Sequence, residues 1–168
     1  MLNHVIVPLD GSELAQTALD HALKLLGDGG QITLLTVLQP EEALSLSDFY
    51  PSTMIPKTRE DEVNTSAAIA RAHNYLTRLA EDIAIEHPYT VKARVEVGEP
   101  AAVITDIAES LHVDAIVMST HGRSGLSRWI FGSVTQKVLA AAGCPVFVIP
   151  AKMRAEVALP EIAKHALA

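Results

Sequence analysis

The chain of 168 residues is about one domain in length, 49% apolar and 4% aromatic, and carries a formal charge of −7 at pH 7. That apolar content excludes a disordered chain, and a domain of this size buries roughly 70% of its unfolded surface without needing disulfides. The shortage of aromatic rings and the negative charge argue against base stacking or sequence-independent binding to nucleic acid, so any phosphate has to be held locally, by backbone amides or a metal.

Short runs rich in β-branched residues alternate with longer stretches of helical period. The first strand is His4–Pro8. Ser12 then caps a helix over Glu13–Leu26, with Ala15, Ala18, Leu19, Ala22 and Leu26 on one face and Gly27 as its stop. A second strand, Gln31–Leu38, leads into a polar stretch from Gln39 to about Arg59 that holds Pro40, Pro51 and Pro56. A connection of that length is uncommon unless it is a lid, a binding loop or a mobile linker. The longest helix spans about Glu60–His87, striped by Ile69, Ala72, Leu76, Leu79 and Ile83 and closed by Pro88. Thr90–Val97 forms the third strand, after which Pro100 opens a helix through Ile104, Ile107, Ala108 and Leu111. The fourth strand is Ala115–Ser119, the last helix begins at Ser133 with Val134, Val138 and Leu139 inward, and Val146–Ile149 is the fifth strand.

The first, fourth and fifth strands are nearly continuous apolar runs, as in a parallel sheet covered on both faces. The expected fold is therefore an α/β three-layer sandwich with right-handed crossovers over residues 1–150. An Ala-rich extension follows over residues 151–168, readable as a packing element, a partner helix or a frayed tail. The single Cys144 excludes an internal disulfide, and zinc-type Cys/His spacing is absent. A secretory signal is not expected here, because the first apolar run, Val5-Ile6-Val7, stops at Pro8 and Asp10. The longest apolar stretch, Val138 to Ala151, is broken by Gly143, Pro145 and Pro150 and is too short to span a bilayer. A soluble cytoplasmic protein is expected, without membrane or nucleic-acid partners.

The segment from Ser119 to Ser133 leaves an apolar strand, turns through glycines and small hydroxyl residues, and enters a helix at Gly132-Ser133. A helix start offers unpaired N–H groups and partial positive charge, and glycine before it lets phosphate oxygens approach the backbone. Ser133 can cap that helix or give its hydroxyl to a phosphate, while Arg123, Arg128 and Lys137 bring positive charge nearby. The same segment also reads as a plain turn and cap. Pro8-Leu9-Asp10-Gly11-Ser12 likewise follows a strand and precedes a helix. Asp10 there either starts the helix through a turn, accepts hydrogen bonds from a ribose, or coordinates a divalent ion. Ligands of open α/β sheets bind at the carboxyl ends of strands where strand order reverses, so the two loops would share one site if that reversal lies between them.

Thr120-His121-Gly122-Arg123-Ser124-Gly125-Leu126-Ser127, then Gly132-Ser133-Val134, Gly143-Cys144-Pro145-Val146 and the opening Val5-Ile6-Val7-Pro8-Leu9-Asp10-Gly11-Ser12 resemble the universal stress protein family, in the family's order over about residues 1–150. The resemblance implies an adenine nucleotide alpha hydrolase-like open sandwich whose five parallel strands run in the order 3-2-1-4-5. The family's ATP-binding branch is marked by Gly-x-x-Gly, nine residues, then Gly-Ser or Gly-Thr. On this chain those positions fall at Ser119 in place of the first glycine, at Gly122, and at Gly132-Ser133. The resemblance further implies that Pro8 and Asp10 lie against the nucleoside, that Val37 meets the adenine and that Met118 packs on the base. Gly122, Gly132, Ser133 and the amide of Val134 would hold phosphates, with Ser12, Ser119 and Arg123 completing the set. Val37 and Met118 also suit ordinary core packing.

Neither a P-loop nor a Gly-x-Ser-x-Gly elbow is present, and the seven histidines include no i, i+4 pair. Catalysis beyond weak ATP hydrolysis is not expected. Cys144 reads as an inert buried thiol, and Trp129-Ile130-Phe131 as an apolar anchor for its loop. The leading expectation is an ATP-binding stress-response or signalling module in which Mg²⁺ or Mn²⁺ neutralises the phosphates. ATP would tie the 119–133 loop to the first strand, and a difference in affinity between two loop states would make the switch. The alternatives are a slow ATP hydrolase, with Asp10 and a metal placing a water, and a nucleotide-free dimerisation scaffold. The last strand, Val146–Ile149, leaves an apolar sheet edge, and family members commonly dimerise there, so a homodimer is expected.

Overall fold

A computed structural model of the chain describes residues 1–39, 59–120 and 132–150. Strands and helices alternate as β1 (Leu2–Pro8), α1 (Glu13–Leu25), β2 (Leu26–Leu38), α2 (Arg59–Glu86), β3 (Thr90–Val97), α3 (Pro100–Ser110), β4 (Ala115–Ser119), α4 (Ser133–Ala141) and β5 (Val146–Ile149). The five strands form one parallel sheet, as the residue patterns led one to expect, in the order β3-β2-β1-β4-β5 that the family resemblance implied. Relative to that reading, β2 starts earlier, at Leu26 instead of Gln31. The residues from Gly27 to Gly30 lie within β2 and not between elements, because Leu26 pairs with Leu2 before His4 pairs with Gln31. β2 thus advances by five residues where β1 advances by two, and the excess bulges out through Gly29 at φ 71°.

Side-chain alternation along the strands divides the interior in two. Val5, Val7, Ile32, Leu34 and Val117 face the α1 and α2 side, where Ala18, Leu19 and Leu76 cover them. Ile6, Leu35, Ile116 and Met118 face the other side, under Ile104, Ile107 and Val138 of α3 and α4. Three layers result. α1 starts where expected, with the Ser12 hydroxyl accepting from the Ala15 amide at 3.2 Å. Leu139 is a correction: it was expected inward but is 44% exposed. At 100° per residue, Val134, Thr135 and Val138 occupy the inner stripe and Leu139 falls at its edge.

β4 is secured to β1 at its amino end. Asp114 accepts from the His4 amide at 2.9 Å and the Asn3 amide at 2.6 Å, and its own N–H donates to the His4 carbonyl at 2.8 Å. Strand order reverses between β1 and β4, so the segments after these two strands open side by side at the carboxyl end of the sheet.

Candidate functional site

A cavity of about 320 Å³ occupies that reversal point. Pro8 and Asp10 line it from the end of β1, Val37, Leu38 and Gln39 from the end of β2, and Met118 and Ser119 from the end of β4. Pro100 and Ile104 of α3 close one side, and the first turn of α4, from Gly132 to Thr135, closes another. Of the residues singled out in the sequence, Pro8, Asp10, Val37, Met118, Ser119, Gly132, Ser133 and Val134 therefore meet around one space. Ser12 is not among the lining residues and serves as the cap of α1. Gly122 and Arg123, together with His121, Arg128, Trp129-Ile130-Phe131, most of the 39–59 connection and the 151–168 extension, lie outside the described residues.

The loop after β1 is built around a tight turn. The Asp10 carboxylate accepts the Ser12 amide at 3.0 Å, an Asx turn closed over Gly11 at φ 80°, a conformation that favours glycine. This is the helix-initiating reading of Asp10, and it leaves the side chain on the cavity wall. The loop is fastened to β2 twice, by the Leu9 amide on the Leu35 carbonyl at 2.7 Å and by the Thr36 hydroxyl on the Leu9 carbonyl at 2.9 Å.

The α4 side has different chemistry. Gly132 is the N-cap and makes no side-chain cap bond, so Ser133 stands inside the helix as its first residue and does not cap it. Ser133 is exposed, and Gly132 is anchored by its own N–H on the Thr120 carbonyl at 2.7 Å. The first-turn amides and the positive end of the helix macrodipole border the cavity, an arrangement suited to an anion.

Among the described lining residues there is no Lys, Arg or His, and Asp10 is the sole carboxylate. Lys137, expected to bring charge to this place, instead pairs through Nζ with Glu99 Oε1 at 2.8 Å. The other Glu99 oxygen caps α3 by accepting the Ala102 amide at 2.8 Å. These partners, Lys137 foremost, hold the Glu99 carboxyl below its usual range. No group of three or more His, Cys, Asp and Glu side chains that would cage a metal occurs among the described residues. Asp10 is the one carboxylate these lining residues would offer a divalent ion, with neutral oxygens, phosphates and water supplying the rest. Cys144, expected to be buried, is half-buried, and that burial pushes its thiol up, which disfavours the thiolate.

Sequence reasoning missed several contributors: Leu38, Gln39, Pro100, Ile104 and the two buried threonines Thr36 and Thr135. Only Thr135 had a local signal, since it directly continues Gly132-Ser133-Val134.

Residues 1–150 match the model of the universal stress protein family. Universal stress protein MJ0577 of Methanocaldococcus jannaschii is 29% identical over 160 residues, covering 90% of this chain and 97% of that protein. Universal stress protein YxiE of Bacillus subtilis is 28% identical over 150 residues, covering 89% and 99%. Among solved structures, MJ0577 superposes with a TM-score of 0.72 at 28% identity over 88% of this chain and 95% of that one. UspA from Lactobacillus plantarum gives a TM-score of 0.68 at 25% identity over 88% and 97%.

Proposed function

The chain belongs to the universal stress protein family, and from that premise we propose that its cavity binds an adenine nucleotide, ATP in the leading case, as the ligand of a cytoplasmic, dimeric stress-response switch. The observation that carries this reading is the pairing of two surfaces around one space: an apolar wall and a helix start. Val37, Met118 and Ile104 offer aliphatic contact to a base without a stacking ring. On the same cavity, Gly132, Ser133 and Val134 offer amides and a hydroxyl to phosphates, and Asp10 is a wall residue able to accept from a ribose or to reach a phosphate-bound Mg²⁺ or Mn²⁺. With no cation among the described lining residues, phosphate charge would be met by those amides, the metal and the Arg123 segment.

Two more distant structures of the same fold hold adenine nucleotides. One universal stress protein, 19% identical with a TM-score of 0.52, was crystallised in complex with cAMP. A family protein from Arabidopsis thaliana, 17% identical with a TM-score of 0.57, has AMP bound. At those identities the likeness carries only the fold, so the reading rests on the cavity.

Thermal unfolding with and without MgATP tests it. A ligand held by the native state alone raises stability by RT ln(1 + [L]/Kd), about 2.7 kcal/mol at a hundredfold excess over Kd. Wild type is expected to melt several degrees higher with millimolar MgATP, and Ser133→Ala and Gly132→Ala to lose most of that shift. Absence of any shift for wild type, with no nucleotide carried through purification, would sink the proposal.

A further inference from the structure

Thr135 stands in the first turn of α4 and is 3% exposed. A threonine within a helix ordinarily returns its hydroxyl to the carbonyl one turn earlier. Two others here do so: Thr17 donates to the Glu13 carbonyl at 3.2 Å, and the Thr105 hydroxyl lies 2.9 Å from the Ala102 carbonyl and 3.0 Å from the Ala101 carbonyl. Thr135 does not. Its Oγ1 donates to the Ser119 carbonyl at 3.1 Å, with the Thr120 carbonyl next at 3.4 Å. A hydroxyl has one proton to give, so the Ser119 bond is the main one. The Gly132 amide holds the same Thr120 carbonyl at 2.7 Å. The end of β4 and the start of α4 are thus stitched together by one side chain and one amide, independently of the sequence between them.

We infer that Thr135 is a positioning residue that fixes the Ser133 and Val134 amides relative to Ser119, and so sets how tightly the cavity holds the phosphate of its ligand as distinct from the nucleoside. This rests on the adenine-nucleotide reading of the cavity. The hydroxyl matters because a helix start held to the end of β4 by the Gly132 amide alone can pivot about that one bond, and donors aimed at an anion lose their effect when displaced by a fraction of an ångström to an ångström. Thr36 fastens the facing loop in the same manner, through its hydroxyl on the Leu9 carbonyl, so both banks of the cavity are tied by buried threonines.

The test compares Thr135→Val, which keeps shape and loses the hydroxyl, with Thr135→Ser, which keeps the hydroxyl, using AMP and adenosine as titrants. Thr135→Val is expected to weaken AMP about tenfold, the scale of one buried hydrogen bond, while adenosine changes less than twofold. Thr135→Ser should bind AMP within about threefold of wild type. Equal losses for AMP and adenosine, or no loss for either, overturn the inference. If Thr135→Val does not fold, Thr135→Ala takes its place; if neither folds while Thr135→Ser does, Thr135 is a residue of the fold alone and the inference falls. Amide exchange in ligand-free protein separates this inference from the nucleotide reading. The Gln136 amide, bonded to the Gly132 carbonyl at 3.0 Å, should exchange about tenfold faster in Thr135→Val than in wild type and Thr135→Ser, with β1 unaffected. Unchanged Gln136 exchange overturns the stitch whether or not wild type binds AMP; wild type that binds neither titrant overturns the nucleotide reading instead.

Discussion

His4 shows how a single side chain ties the stability of this sheet to pH. Its Nε2 lies 2.8 Å from the Gln31 amide nitrogen and 2.9 Å from the Thr33 hydroxyl, and Thr33 is fully buried. With Gln31 donating, Nε2 is an acceptor and the ring is neutral; adding a proton would set an N–H against an N–H. Burial first, and the Lys92 ammonium second, push the ring below its ordinary value of 6.5, outweighing Asp114 and the Leu111 carbonyl, which pull the other way. A histidine whose folded value is depressed contributes stability that is fully present above the unfolded value and is lost as pH falls through the folded one. The melting temperature should therefore decline as pH drops below about 6.5, and His4→Gln should flatten that decline. Melting curves at half-unit steps from pH 7.5 to 5 make the comparison, and parallel slopes for the two proteins would contradict it. Asp114 and Glu99, both held low by hydrogen bonds, lose their contributions at more acid pH than their ordinary 3.8 and 4.5, outside that window.

For the elements, the cap of α1 separates support from contact. The Ser12 hydroxyl oxygen accepts from the Ala15 amide and does not line the cavity, although the family resemblance places it with the nucleotide contacts. Ser12→Ala should cost about 1 kcal/mol of unfolding free energy in urea while leaving the MgATP-induced melting shift intact. A lost shift would return Ser12 to the ligand. Signals of this kind were legible in the sequence because they are local: Ser12 and Pro100 mark helix starts through the few residues that follow them. The apolar runs of β1 and β4 were legible for a related reason, since burial on both faces leaves no room for polar residues. The glycine run at residues 27–30 was not, because it is extended only where Leu2 meets Leu26. Nor were the roles of Thr36 and Thr135, whose hydroxyl partners stand 27 and 16 residues away in sequence. Apposition of the β1 and β4 loops came from strand order, which the family resemblance supplied and residue patterns alone left open.

Across the whole molecule, the two edges of the sheet are unlike. β3 places Lys92, Arg94 and Glu96 along one face, with Arg94 and Glu96 paired at 2.8 Å, and charges of this kind discourage a second sheet from docking. β5 is Val146-Phe147-Val148-Ile149, without a charge, and leaves Phe147 38% exposed, while the neighbouring α4 leaves Leu139 44% exposed. An apolar, uncharged edge on a chain of net charge −7 has little to oppose pairing except the long-range repulsion of two like copies, which salt screens beyond about 8 Å at physiological strength. The homodimer reading therefore predicts a species of twice 18.0 kDa by light scattering, whose dissociation constant falls as salt is raised. Phe147→Glu, which adds a charge where the side chain already reaches solvent, should shift that species to the monomer and leave the melting temperature of the dilute protein nearly unchanged. A wild-type chain that stays at the monomer mass at tens of micromolar in 0.5 M salt would assign the β5 edge another role.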